Sequence, residues 1–353
     1  MTSIVFVHLG PNPAPTLLHY AALCEIRNPE CERFLITDNI GRFSDFPGTL
    51  IEYSPKSRSK VVDKFLKRNR EYMGMSGGYW LYTTERLFSL EILGNFIGYE
   101  KPFIHIESDV MLLMNNDDLD LLKTKCLTTA VPRHSEDRGI ASFLYSPNLN
   151  TYTKTLEEFA NILIKDKSIN NDMQLLGTAL NNGIIQELPS DVSSAWIDNQ
   201  GQKVIFDGMS FGQYLFGLDP IHTNGKIVSG KTFPWYKVDL ANTIWEISSE
   251  NNSKNQSVYF NIKGENIRLL NLHIHSKRLL PNVSKNDLIW INALREANGE
   301  KIRTESEHIP DLIHSQRISI INRFRIARKN KLLMKIGKRK ILHLILSVKK
   351  NFN

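Results

Sequence analysis

Pro102-Phe103-Ile104-His105-Ile106-Glu107-Ser108-Asp109-Val110-Met111-Leu112-Leu113 is the stretch from which the architecture of this chain is read. An apolar run too short for a typical helix delivers two acids one residue apart, and more apolar residues follow. Read as a strand with period-two side chains, it predicts that Glu107 and Asp109 point one way and Ser108 the other. Two hard oxygen ligands on one face, at the end of a buried strand, suit Mg²⁺ or Mn²⁺ carrying a diphosphate. A lone acid-x-acid pair is more often a solvated strand-to-turn junction. Here the apolar flanks place the acids at a sheet edge, where open α/β sheets bind ligands.

Upstream of this stretch, strands and helices alternate. Apolar runs at 4–9, 33–37 and 49–53 read as strands, closed by Gly10-Pro11 and Asp38-Asn39 in the first two cases. Helical spacing predicts helices over 16–26, 60–70 and 80–97, the last turning Trp80, Leu87, Leu90, Ile92 and Leu93 to the core. Downstream, strands are expected at 126–131 and 141–146, and a helix at 153–165. A helix starts at Asn171-Asp172, with Asn or Asp at its cap. Residues 204–218 begin as a strand and turn at Asp207-Gly208 into a short helix. An exposed loop at 251–257, a late strand over 267–275 and a closing helix over 286–298 complete the pattern. Such alternation implies an α/β fold, a mostly parallel twisted sheet with helices on both faces.

The 353 residues suffice for one large α/β domain with an appendage, and 41% hydrophobic residues support a sizeable core. Three cysteines, Cys24, Cys31 and Cys126, have no metal-ligand spacing and fit a reducing compartment. The chain shows no basic leader and no apolar run of about 18 residues, so neither a signal peptide nor a spanning helix is expected. Net charge is +7, yet residues 312–353 hold twelve Lys and Arg and no acid. The rest is slightly acidic, which argues against a nucleic-acid binder. In the tail, Ile341, Leu344, Ile345 and Val348 share a helical face flanked by Lys338, Arg339, Lys340, Lys349 and Lys350. A basic amphipathic helix of this kind suits an anionic membrane surface, so the expected location is cytoplasmic and peripheral on the inner face of the membrane.

With these residues in place, the chain resembles GT-A-fold glycosyltransferases, the nucleotide-diphosphate-sugar transferases, of bacterial surface-glycan type. Four features carry the resemblance. They are Glu107-Ser108-Asp109, Arg86 on the helix before it, Asn171-Asp172-Met173-Gln174-Leu175-Leu176, and Leu272-His273-Ile274-His275-Ser276-Lys277. It covers roughly residues 4–298 and implies one GT-A-like domain over 1–298, with a donor half to about 147 and an acceptor half from 148. A linker and the basic tail would then occupy 299–353. The motif opens with Glu where the family more commonly has Asp.

Transfer from a nucleotide sugar needs a cation for the leaving diphosphate, a carboxylate near the oxocarbenium-like centre, and a proton acceptor for the incoming hydroxyl. The resemblance implies Mn²⁺ or Mg²⁺ held by Asp109, Glu107 and one of His273 and His275. Lys277 would reach the diphosphate, and Ser108, Arg86 and Asp38 would contact the donor, a UDP-sugar being favoured. Asp172 is the expected catalytic carboxylate, and Asp207 a possible acceptor-side residue. Each has a plain alternative: a core imidazole for the histidines, a helix-face ion pair for Arg86, a turn for Asp38, a cap for Asp172. Gly74-Met75-Ser76-Gly77-Gly78 lacks the spacing of a phosphate loop. The expected activity is metal-dependent sugar transfer to a cell-surface polysaccharide or lipid-linked glycan. Competing readings are a nucleotidyltransferase on a similar sheet and a non-catalytic protein with a basic tail.

Overall fold

The computed structural model describes residues 1–11, 16–54, 63–65, 67, 79–216, 244–248, 257–262 and 264–274, all within the compact unit Met1–Glu300. Outside the described residues lie the expected helix at 60–70 apart from a few positions, Gly74–Gly78, nearly all of the 251–257 loop, His275, Lys277, the 286–298 helix and the basic tail.

The sheet is built around β1 (Ser3–His8). It pairs in parallel with β2 (Glu32–Thr37) on one side and β4 (Phe103–Ile106) on the other, and β3 (Thr49–Glu52) extends the parallel set. Beyond β4 the direction changes. β8 (Phe143–Ser146) and β6 (Ala130–Ser135) run antiparallel, β7 (Arg138–Gly139) pairs with β6, and β9 (Gln186–Leu188) returns parallel to β6. The order is β3-β2-β1-β4-β8-β6-β7, a mainly parallel central sheet.

β1 shows why its sequence reads as a continuous apolar run. Ile4 and Phe6 enter one core with Leu17, Tyr20 and Cys24 of α1 (Leu17–Arg27). Val5 and Val7 enter the other with Leu87 of α2 (Tyr79–Ser89), Tyr152 of α4 (Leu149–Lys165) and Leu175 of α5 (Asp172–Asn181). A strand covered by helices on both faces has no polar side to show. The expected α/β fold with helices on both faces is the one observed.

Three expectations change in detail. The helix anticipated over 80–97 ends at Ser89, whose hydroxyl donates to the Arg86 carbonyl at 2.8 Å. A 3-10 turn, Leu90–Leu93, and one further turn, Gly94–Ile97, follow before Gly98 at φ +78° stops it. The strand expected from 126 starts at Ala130, because α3 (Asn116–Lys125) precedes it and Cys126 is its C-cap. That helix was signalled by Asn115 and Asp118, which form a capping box. The late strand over 267–275 is two strands. β14 (Glu265–Leu269) belongs to a five-stranded sheet with β10 (Trp196–Ile197), β11 (Lys203–Ile205), β12 (Ile244–Ser248) and β13 (Ser257–Ile262). β15 (Asn271–His273) pairs antiparallel with β5 (Val110–Leu112). Leu270 is the crossing point, its N–H bonded to Ile205 and its carbonyl to Leu113.

Candidate active site

β4 ends at Ile106, so Glu107 and Asp109 lie in a turn, not on a strand. This corrects the period-two argument. The turn is closed by the Val110 N–H bonded to the Glu107 carbonyl at 3.1 Å. It is fixed from two sides: Thr16 donates to the Ser108 carbonyl at 2.7 Å, and the Glu107 N–H bonds the Ser142 carbonyl. Both acids are buried, and both reach the same imidazole.

That imidazole is His273. Its place follows from the β5–β15 pairing, which sets His273 opposite Val110, and from the Ile274 N–H bonded to the Asp109 carbonyl at 2.8 Å. Its Nε2 is 3.4 Å from Glu107 Oε2 and 3.5 Å from Asp109 Oδ1. One ligand atom from each residue lies within 4.8 Å of the other two. Neighbouring ligands of an octahedral Mg²⁺ with bonds of about 2.1 Å stand about 3 Å apart, so the spacing and the two-oxygen, one-nitrogen donor set fit a small divalent ion. Burial alone would push the imidazole down, but Asp109, Glu107 and Asp207 hold it up at about 9. The imidazole thus faces both acids, and Arg86 adds a second cationic partner to Glu107.

Asp207 precedes α6 (Ser210–Phe216) and is fully buried. Its Oδ2 accepts the N–H of His273 and of Gly212, each at 2.9 Å, and its Oδ1 accepts the Phe211 N–H. The acceptor-side reading of Asp207 is corrected: its carboxylate faces the backbone carrying His273. Burial pushes its carboxyl up, against the three N–H bonds. Gly212 has to be glycine, since a Cβ there would overlap the His273 carbonyl.

Arg86 is also decided by geometry. Its Nη2 pairs with Glu107 Oε1 and lies 3.3 Å from Asp172 Oδ2, so it organises two acids. Asp172 is the first residue of α5, and the cap is Asn171, which accepts from Gln174 at 3.0 Å. The cap explanation for Asp172 therefore falls away. Its Oδ1 takes a hydrogen bond from Thr83, one turn before Arg86 on α2, a partner that the i, i+3 spacing could have signalled. Burial pushes the Asp172 carboxyl up, opposed by Arg86 and reinforced by Glu107.

Asp38 is exposed beyond β2 and accepts the Gly10 N–H at 2.8 Å through Oδ2. Gly10 has φ +87°, and a Cβ there would press into the Tyr82 ring. Asp38 thus lies at the ends of β1 and β2, the edge of the parallel sheet at which β4 delivers Glu107. No helix among the described residues is long and apolar enough to cross a membrane.

No protein-family model matches the chain, and no curated protein matches it either. Among solved structures it is similar to the galactosyltransferase LgtC in complex with donor and acceptor sugar analogues, at 15% identity and TM-score 0.38, covering 54% of this chain and 74% of that one. It is similar to the PaToxG glycosyltransferase at 13% identity and TM-score 0.34, covering 52% and 69%. For apo GlyE of Streptococcus pneumoniae the values are 14% and 0.35, covering 54% of this chain and 46% of GlyE, under half its length. A glucose-1-phosphate thymidylyltransferase from Bacillus anthracis is similar at 9% and 0.29, covering 53% and 86%. Likenesses this weak carry no inference about activity.

Proposed function

We propose that this chain is a metal-dependent glycosyltransferase that moves a sugar from a nucleotide-diphosphate sugar to a glycan or lipid-linked acceptor. The observation that supports it is the buried Glu107–Asp109–His273 group, in the turn after the central strand β4. In this reading these three residues hold Mn²⁺ or Mg²⁺, which when bound neutralises charge gathering on the leaving diphosphate. Arg86 holds Glu107 in place. Asp172, buried and raised, takes the acceptor proton or faces the anomeric carbon. Asp38 and Ser108 contact the nucleoside, and Lys277 contacts the diphosphate, with His275 a second candidate imidazole. Residues 1–147 serve the donor and 148–298 the acceptor. The basic tail docks the enzyme on an anionic membrane carrying a surface-glycan precursor; truncation after about residue 310 should abolish salt-sensitive vesicle binding and leave donor hydrolysis intact.

The test is Mn²⁺ titration and sugar-nucleotide turnover, across UDP-, GDP- and CMP-sugars, by wild type and Asp109→Asn. Wild type should bind Mn²⁺ and release the nucleotide, and Asp109→Asn should lose both by orders of magnitude. Turnover persisting in the variant with excess EDTA would refute the metal site. Release of pyrophosphate from a nucleoside triphosphate and a sugar phosphate would establish a nucleotidyltransferase instead.

A further inference from the structure

A single nitrogen of Arg86 faces two acids that belong to different parts of the site. Its Nη2 pairs with Glu107 Oε1 and stands 3.3 Å from Asp172 Oδ2. Glu107 is a member of the metal group, and Asp172 lies at the head of α5. All three side chains are buried, so water screens their charges weakly.

Each acid also has anchors of its own. Asp172 is the first residue of α5, where the helix dipole favours a carboxylate, and its Oδ1 accepts the Thr83 hydroxyl at 3.1 Å. Glu107 is fixed by its turn: its N–H bonds the Ser142 carbonyl, and its own carbonyl accepts the Val110 N–H. Its Oε2 faces His273 Nε2 at 3.4 Å. The guanidinium between the acids ends a long side chain carried by α2, so a small torsional change moves it toward one acid and away from the other. A divalent ion held by Glu107, Asp109 and His273 would place two positive charges beside that guanidinium. Repulsion then drives it from Glu107 toward Asp172.

We propose that Arg86 couples the metal group to Asp172: ion binding shifts the guanidinium from Glu107 to Asp172, and Asp172 strengthens ion binding by accepting it. The proposal rests on the metal reading of the Glu107–Asp109–His273 group. Coupling between two sites is reciprocal, so each acid senses the state of the other through one cation. The consequence for transfer is that the Asp172 carboxylate is locked into its ion pair when the donor's ion is in place. In this role Arg86 is a positioning residue, acting through the two acids it joins.

The test is a double-mutant cycle on the full chain, read by calorimetric titration with Mn²⁺ alone. Asp172→Asn should weaken Mn²⁺ binding by about fivefold to fiftyfold, within the usual range of coupling between sites. At saturating Mn²⁺ the difference disappears, and donor affinity measured there is that of wild type. In the Arg86→Gln background, Asp172→Asn should change Mn²⁺ affinity by less than about twofold, as for independent sites. Thr83→Val removes a neutral hydrogen bond to Asp172 and leaves every charge in place, so its Mn²⁺ affinity should match wild type. Unchanged affinity in Asp172→Asn overturns the coupling. An equal loss in both backgrounds also overturns it, because Asp172 would then act by its field and not through Arg86. A loss in Thr83→Val as large as that in Asp172→Asn overturns it too, tracing the effect to a disturbed helix start. If Arg86→Gln does not fold by circular dichroism, Arg86→Lys takes its place, since an ammonium lacks the planar group that spans the two acids. An undiminished Asp172→Asn effect in that background overturns the proposal. Absence of Mn²⁺ binding to wild type overturns the metal reading beneath it.

Discussion

Arg86 Nη2 stands 3.3 Å from Asp172 Oδ2, joining a helix before the acidic turn to the head of a helix well after it. The same nitrogen pairs with Glu107, so one cation neutralises two buried acids on different elements. Removing one partner of a buried pair leaves uncompensated charge, and this is where the site is most fragile. Arg86→Leu should lose about 3–5 kcal/mol of stability in urea unfolding. Arg86→Lys should recover part of it, because the ammonium lacks the planar fork. Wild-type stability in Arg86→Leu would show that another group neutralises both acids.

Asp172→Asn isolates chemistry from architecture. Asn171 is the cap, so the helix start remains, and the amide can still accept from Thr83. Transfer should fall by about 10²–10⁴-fold, the scale of general acid–base catalysis, with donor affinity unchanged. Single-turnover assays beside donor titration separate the two effects. Wild-type transfer would reduce Asp172 to a structural ion-pair partner.

Gly212→Ala tests how His273 is positioned. The added Cβ overlaps the His273 carbonyl, and the strand or the helix has to shift. Overpacking of this kind costs about 1–3 kcal/mol, and here Mn²⁺ affinity should fall as well, because the displaced backbone carries the ligand. Gly41→Ala is the control: its Cβ would meet only Asn39 Oδ1 at 3.7 Å, and neither property should change. Unchanged Mn²⁺ affinity in Gly212→Ala would uncouple α6 from the metal group.

His105 sets an acid limit on stability. It is fully buried in β4, its Nδ1 donates to the Val5 carbonyl at 3.0 Å, and burial, with Arg86 nearby, pushes it down to about 3. Between its ordinary value of 6.5 and about 3, the unfolded chain binds a proton that the folded chain does not. Stability should therefore fall on acidification through that window, by up to about 1.4 kcal/mol per pH unit from this residue. His105→Asn, which keeps a donor for Val5, should flatten the slope. An equal slope in variant and wild type would assign the acid sensitivity to other groups.

Individual elements differ in how far the sequence anticipates them. β1 and β4 are legible because strands buried on both faces are apolar throughout, and α5 because Asn171-Asp172 offers a capping side chain at its start. α3 is missed although its capping box is present in the letters, because a low-hydrophobicity helix between strands gives little periodic signal. The break at Leu270 is illegible. The residues from Ile267 to His273 keep a strand pattern throughout, and what changes is the partner, β11 on one side and β5 on the other.

The sequence by itself determines the α/β alternation, the double burial of the central strands, the acids at the end of β4, and a helix start capped by Asn171 or Asp172. Those are local properties, set by side-chain period and by donors and acceptors within four residues. Tertiary structure decides which groups meet. Glu107 and Asp109 share a target because a turn, not a strand, presents them to His273. Arg86 becomes the partner of Asp172 because α2 and α5 lie on the same face of the sheet. Asp207 supports His273 because α6 packs against β15 closely enough to require a glycine. These contacts join residues far apart in the chain. Their free energy depends on burial and distance, which no short stretch of sequence contains.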